Sequence, residues 1–278
     1  MKEKSIKELL EFSLINIDKP AGPTSFKVGQ SIKNELGLKK TGHLGTLDPM
    51  VTGVLPIALN RACRLNEYFM HRDKEYVGIM RLHEEVSLEV LKKEVKGFIG
   101  KITQLPPVRS SIKRVKRVRE IKSFKILEKD EKDVLFVADV QAGTYIRKLI
   151  HDLGEKIGGA HMLELRRIKA GLFDESTIVN LYDFEEAVKD YKTGKEEKLR
   201  KILIPAEEAL IKLIPKVEVK KESLKALLNG KPLMLSDLKK QQKDLEKRFA
   251  VFCGDRFVAV MRGVSEKDII GKAEFVFN

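Results

Sequence analysis

The chain has 278 residues, a formal net charge of +13 and 42% hydrophobic residues. That length and apolar content exclude a disordered polypeptide and allow a substantial core in one large or two smaller domains. The charge points to a polyanionic partner, nucleic acid ahead of membrane, because no apolar run reaches the length of a span and no basic amphipathic anchor is present.

The N-terminal stretch MKEKSIKELLEFSLINIDKP lacks a secretion-signal core, so a cytoplasmic location is expected. A short apolar strand is predicted over 14–18, stopped by Lys19-Pro20-Ala21-Gly22-Pro23. Thr24-Ser25 then caps a helix running to about Glu35, with Gly37 as its stop. After a glycine- and proline-rich segment, residues 54–59 and 76–82 read as strands. Ser87 caps an amphipathic helix with Leu88, Leu91, Val95, Phe98 and Ile99 on its apolar face. Residues 123–128 and 134–140 form a hairpin around an acidic turn. Gly143-Thr144-Tyr145 opens a helix that ends at Gly158-Gly159, and 163–168 is again a strand. Residues 178–212 are polar and mostly helical. A break at Ile214-Pro215 precedes a small β-rich unit, in which the charged run 239–247 is an exposed loop or short helix.

Two cysteines, Cys63 and Cys253, lie far apart and outside any CxxC motif. Buried thiols are expected rather than a disulfide framework. The five histidines show no metal-ligand spacing, so no zinc site is expected.

Residues 42–56 pack three glycines, two prolines, one histidine and one carboxylate, Asp48, into fifteen positions. Such punctuation shapes a loop around a single acid. Two readings stay open on these residues alone: Asp48 as a turn or helix-cap residue, or Asp48 as a functional acid on a scaffolded loop.

The stretch Arg109-Ser-Ser-Ile-Lys113-Arg114-Val-Lys116-Arg117-Val-Arg119 holds six cations in eleven residues and no acid. Apolar residues alternate with the cations, as in a ribbon with one apolar face. Two readings fit: a solvated basic strand, or contact with nucleic-acid phosphates through Lys113, Arg114, Lys116, Arg117 and Arg119.

Further segments, taken together, resemble one family. They are Asn16-Ile17-Asp18-Lys19-Pro20-Ala21-Gly22-Pro23-Thr24-Ser25, Gly42-His43-Leu44-Gly45-Thr46-Leu47-Asp48-Pro49 with Thr52-Gly53-Val54-Leu55-Pro56, and Lys74-Glu75-Tyr76. After these come Pro106-Pro107-Val108-Arg109-Ser110-Ser111-Ile112-Lys113-Arg114, Gly143-Thr144-Tyr145-Ile146-Arg147, and Gly159-Ala160-His161-Met162 with Leu165-Arg166-Arg167. The set resembles the TruB/Cbf-type pseudouridine synthases, and within them the archaeal H/ACA catalytic subunit.

The resemblance implies an α+β fold at 1–214, with a mixed, mainly antiparallel central sheet and flanking helices. It also implies a reduced, β-rich, PUA-like RNA-binding domain at 215–278. It implies isomerisation of uridine without cofactor or metal, in which one carboxylate attacks the ribose or base or removes a ribose proton. By resemblance Asp48 is that carboxylate and Arg147 its countercharge, which a lone carboxylate in a closed site requires. Tyr76 stacks on the flipped base, Tyr145 contacts the nucleotide, Leu165 closes the pocket, and His43 fills the vacated space or touches RNA. Lys19-Pro20 buttresses the Asp48 loop. The implied partners are guide RNA, rRNA or tRNA, and H/ACA accessory proteins. The alternative is stand-alone modification of the tRNA T-arm. An inactive RNA-binding scaffold is disfavoured by the intact Asp48, Tyr76 and Arg147.

Overall fold

A computed structural model describes residues 4–106, 113–240, 245 and 247–278. The first part of the chain builds a large mixed sheet. Its strands are β1 (Ser13–Lys19), β2 (Thr41–His43), β3 (Thr52–Leu59), β4 (Lys74–Leu82), β5 (Gly100–Gln104), β6 (Arg117–Asp130), β7 (Asp133–Val140), β8 (Ala160–Ala170), β9 (Phe173–Asp174) and β10 (Ile204–Pro205). The order is β10-β1-β3-β8-β4-β7-β6-β5, with β2 on β3 and β9 on β8. Every pairing in this sheet is antiparallel except β3 with β8. Strand β1 is buried along almost its whole length, as a strand covered on both faces must be. Strands β4 and β7 alternate buried and less buried positions, the period-two signature of a sheet with one wet face.

Helices α1 (Ile6–Glu11), α2 (Ser25–Glu35), α3 (Asn66–Met70), α4 (Leu88–Lys96), α5 (Ile146–Gly154), α6 (Leu181–Lys192), α7 (Glu197–Ile202) and α8 (Ala206–Leu210) flank the sheet. The Thr24 hydroxyl caps α2 by accepting from Lys27 N, and the Ser87 hydroxyl caps α4 by accepting from Val90 N. Helix α5 buries Ile146, Leu149, Ile150 and Leu153 against the sheet and shows its polar side to solvent. It ends at Gly154, short of the expected Gly158-Gly159 stop: the Gly159 N–H closes a turn on the Gly154 carbonyl at 2.7 Å.

The remainder of the chain forms α9 (Leu224–Leu228) and a second sheet: β11 (Lys216–Glu218), β12 (Leu233–Met234), β13 (Arg248–Cys253), β14 (Arg256–Glu266) and β15 (Ile269–Val276), ordered β11-β13-β14-β15-β12. Val217, Leu227, Leu233, Phe249, Val251 and Met261 give it a core of its own. A second apolar cluster joins the two sheets. Phe12, leading into β1, stacks on Phe257 at 5.3 Å and on Phe277 at 4.3 Å between ring centres. Arg61 lies over the Phe277 ring at 4.4 Å and donates to the Val276 carbonyl at 3.1 Å. The C-terminal sheet is therefore bolted to the larger one by aromatic packing. Both cysteines are free thiols. No helix among the described residues is long and apolar enough to cross a membrane.

The basic run departs from the ribbon expected of it. Arg109 lies outside the described residues, and regular strand begins only at Arg117. Val115 and Val118 are exposed, while Arg117 and Arg119 are half-buried. The pleat is thus inverted with respect to an apolar inner face. The reason is that β6 pairs here with the edge strand β5, which offers no deep core for a valine to fill.

Candidate active site

Asp48 sits in the loop between β2 and β3, and its backbone is pinned on both sides. The Ser25 hydroxyl accepts from Leu47 N at 2.8 Å and donates to the Leu47 carbonyl at 3.0 Å. The Pro49 carbonyl accepts from Lys19 Nζ at 2.8 Å and from Gly22 N at 2.9 Å. The Asp48 carbonyl accepts from Val51 N at 3.0 Å, closing a tight turn, and no helix follows it. Leu47 and Val51 are buried beneath. The turn reading of Asp48 is therefore right for its backbone, and its carboxylate is left outside the core.

Among the described residues that carboxylate forms an ion pair with Arg147: Asp48 Oδ2 lies 3.5 Å from Arg147 Nη1, with side-chain exposures of 57% and 69%. Arg147 stands in the first turn of α5, whose N-cap is Tyr145. Gln104 clamps Tyr145 by donating to its carbonyl at 3.2 Å and accepting from its N–H at 3.0 Å, so the end strand β5 fixes where the helix starts. The Asp48–Arg147 pair expected by resemblance is thus assembled by two distant segments.

Tyr76 lies in β4, an interior strand between β8 and β7, and is not an edge-strand aromatic. It is buried in the same core cluster as Leu165. Leu165 faces Gly78 across the β4–β8 ladder. His43, at the end of β2, places Nε2 3.0 Å from the Thr46 hydroxyl. Burial and then the charge of Arg167 push its pKa below the ordinary histidine range, so the imidazole is neutral at neutral pH.

Beneath the loop lies a layer that sequence reading found only in part. Lys19 was expected to buttress the loop; its buried ammonium donates to the carbonyls of Pro20 at 2.7 Å and Pro49 at 2.8 Å. Burial lowers its pKa, and the charge of Asp48 opposes that shift. Arg167 and Lys74 were not singled out. Arg167 is fully buried; its Nε donates to the Val54 carbonyl at 2.8 Å, its Nη2 to the Gly45 carbonyl at 2.9 Å, and the guanidinium interacts with the Tyr76 hydroxyl. Burial pushes Arg167 down from the usual arginine range, against the effect of Tyr76. Lys74 Nζ donates to the carbonyls of Met70 and Arg72, both at 2.5 Å. Burial, aided by the charge of Arg167, lowers its pKa to about 8. Two glycines make room for this layer. Gly45 adopts φ +130°, and Gly53, at φ +98°, has no room for a Cβ, which would lie 2.2 Å from the Arg167 carbonyl oxygen.

Among the expected phosphate contacts, Lys113, Arg114 and Lys116 are exposed in irregular backbone ahead of β6, with Arg114 Nε 3.4 Å from the Pro106 carbonyl. Arg117 is half-buried in the first position of β6. Arg119 is placed differently: its guanidinium covers Gly143, in the turn that leads to Tyr145. No zinc site was expected from the histidine spacing, and one histidine stands beside two carboxylates in the fold. Ligand atoms of the exposed His151 and Glu155 and the half-buried Asp152 lie within 4.8 Å of one another, although Lys148 pairs with Asp152.

Comparison with known proteins agrees with this geometry. The model described as TruB family pseudouridylate synthase (N terminal domain) matches residues 33–90, and that of the tRNA pseudouridylate synthase B C-terminal domain matches residues 147–211. A protein of Methanopyrus kandleri named "Probable tRNA pseudouridine synthase B" is 46% identical over 246 residues, spanning 88% of this chain and 72% of that protein. The crystal structure of a Cbf5-Nop10-Gar1 complex contains a chain that superposes with a TM-score of 0.89 at 38% identity, covering 100% of this chain and 88% of that one. A chain from an H/ACA RNP bound to a substrate RNA containing 2'-deoxyuridine gives 0.87 at 36% identity, covering 100% and 88%. Fold and matched segments together define an enzyme that isomerises uridine in RNA. The chain belongs to the TruB family of pseudouridine synthases.

Proposed function

We propose that this chain is the catalytic subunit of a guide-RNA-directed H/ACA ribonucleoprotein, with Asp48 as the attacking carboxylate. The observation that carries the guide-directed reading is its chain-long likeness to Cbf5 in complexes with Nop10 and Gar1 and in an RNP bound to substrate RNA. By that likeness its partners are a guide RNA, a target RNA and the accessory proteins of such particles, and the C-terminal sheet is a PUA-like anchor for RNA.

The 3.5 Å approach of Asp48 to Arg147 supports the chemistry. The guanidinium lies beside the carboxylate and helps to aim it, as a nucleophile or base requires. The target uridine leaves its stack and enters beside Tyr76 and Leu165, which offer a ring and an apolar wall. Asp48 then acts at C1′, at C6 or on a ribose proton. The C1′–N1 bond breaks, the freed base turns, and a C1′–C5 bond forms. The proton on C5 is lost and N1 ends with a proton, so the reaction is an isomerisation that balances without oxidant or reductant.

A second reading, stand-alone action on the tRNA T-arm, is favoured by the name of the Methanopyrus kandleri relative. One experiment separates the two. The purified chain is incubated with tRNA, and with a guide–target pair plus accessory proteins, and pseudouridine is detected by carbodiimide chemistry. Conversion only with the guide is expected, and conversion of tRNA by the chain alone removes the guide-directed reading. If Asp48→Asn retains full activity, the proposed chemistry is wrong.

A further inference from the structure

The Asp48 reading leaves one buried group without a task. Arg167 lies in β8, flanked by β3 and β4; it is opposite Tyr76 in one ladder and Gly53 in the other. Its side chain is among the most deeply buried in the molecule. Two of its contacts are main-chain carbonyls and one is a hydroxyl, and its charged neighbour is Lys74, a cation. A buried charge so surrounded is costly, and well-packed apolar side chains in such places commonly serve stability as well or better. Stability alone therefore does not account for an arginine here.

Geometry does. Gly45 lies near the start of the loop that carries Asp48 and Val54 lies in β3 just past its end, and Arg167 donates to the carbonyls of both. The same guanidinium meets the hydroxyl of Tyr76. We propose that Arg167 is the positioning residue of this active site: one planar guanidinium ties the start of the Asp48 loop to strand β3 just past its end and holds the Tyr76 hydroxyl, fixing the carboxylate against the ring. Arginine spreads its donors over a rigid planar fork, whereas lysine gathers its three on one compact ammonium, so a lysine does not reproduce this set of contacts. Arg167 does not reach RNA, and its effect falls on the chemical step and not on binding.

This inference rests on the proposed roles of Asp48 and Tyr76, and the test keeps the two apart. Single-turnover rates, RNA affinity and melting temperature are measured for wild type, Asp48→Asn, Arg167→Lys, Tyr76→Phe and the double variant Tyr76→Phe/Arg167→Lys. Arg167→Lys is expected to slow the chemical step by about 100-fold, the scale of a 1 Å misplacement, with RNA affinity within about twofold of wild type. In the Tyr76→Phe background the same change is expected to cost clearly less, because the two side chains act as one unit. A folded Arg167→Lys with the wild-type rate, or losses that multiply in the double variant, overturns the proposal. Should Arg167→Lys fold too poorly to assay, Gly45→Ala tests the same tie. A Cβ there meets Arg167 Nη1 at 3.5 Å and is strained at φ +130°, so it displaces the start of the loop while the guanidinium stays. A rate loss of about tenfold at unchanged affinity is expected, and a wild-type rate overturns the proposal. Full activity of Asp48→Asn instead rejects the underlying reading of the acid, whatever Arg167 does.

Discussion

Two groups of charges meet at the Asp48 loop and are held in opposite ways. Above it, Asp48 and Arg147 are mostly solvent-exposed and joined by one 3.5 Å contact. Below it, Arg167, Lys19 and Lys74 have only 1%, 0% and 6% of their surface exposed and donate to backbone carbonyls. An exposed pair of the upper kind is worth about 0–1 kcal/mol to stability. Buried donors of the lower kind each satisfy acceptors that would otherwise be stranded in the core, a debt of about 1–3 kcal/mol apiece. Asp48 and Arg147, the proposed reactive pair, are thus left open to solvent because the backbone around Asp48, and not the side chains, is fixed.

The largest expected effect tests the upper half of this contrast. Asp48→Asn should cut pseudouridine formation by at least about 10⁴-fold, as removal of an attacking group does. Its stability should stay within about 0.5 kcal/mol of wild type, since the lost ion pair is exposed. A melting point several degrees lower would show that the carboxylate also holds the loop. Arg147→Gln comes next. Loss of the countercharge should slow the reaction by about 10²–10³-fold, the scale for one preorganised donor, again with little change in stability.

Much of the upper half was legible in the sequence and much of the lower half was not, for a physical reason. Asp48 and Arg147 sit in loops and helix starts marked by glycine, proline and tyrosine, whose backbone demands are local. Lys74 and Arg167 sit in strands, where their surroundings depend on which face the pleat turns inward. Side-chain parity offers the missing signal. Lys74, Tyr76, Gly78, Met80 and Leu82 are the buried positions of β4, and Arg167 shares the inward face of β8 with Leu165. Arg166, one residue earlier, faces the other way and pairs with Asp18 at 2.9 Å and Glu175 at 2.7 Å. A cation on the apolar parity of a strand could have been picked out; which carbonyls it reaches depends on register, which the strand's own residues do not state. Ser25 was hidden differently. It reads as half of a Thr-Ser cap, yet Thr24 does the capping, and the Ser25 hydroxyl is free to hold Leu47.

The lower half is tested through pH. Lys74 has a folded pKa of about 8, against 10.5 for the ordinary side chain. Lowered in the folded state, the group is deprotonated there first, so the unfolded chain binds more protons between these values. Stability should therefore rise as pH goes from about 8 to 10.5, and the penalty is fully present below 8. The span corresponds to about 3 kcal/mol. Lys74→Met has no such proton, and its urea-unfolding stability should lack this rise when both proteins are compared from pH 7 to 10. Parallel curves would mean that Lys74 is not the buried cation described here.

The smallest expected effect separates exposed from buried cations by salt. Arg114 and Arg117 are exposed and half-buried at the start of β6, where a phosphate can reach them. Each contact to RNA that they make releases condensed counterions, so the logarithm of affinity falls with the logarithm of salt. Arg114→Gln/Arg117→Gln should reduce that slope by about 2, roughly one unit for each phosphate contact removed. Lys74→Met removes a charge of the same sign from the same protein, but that charge is enclosed by its own backbone and cannot displace a counterion from RNA. Its salt slope should match wild type. Equal slopes for all three proteins would take the basic segment out of RNA binding. A reduced slope in Lys74→Met would show that the layer under Asp48 opens to RNA, and the division between exposed and buried charge would fail where it matters most, beneath the loop that carries the proposed catalytic acid.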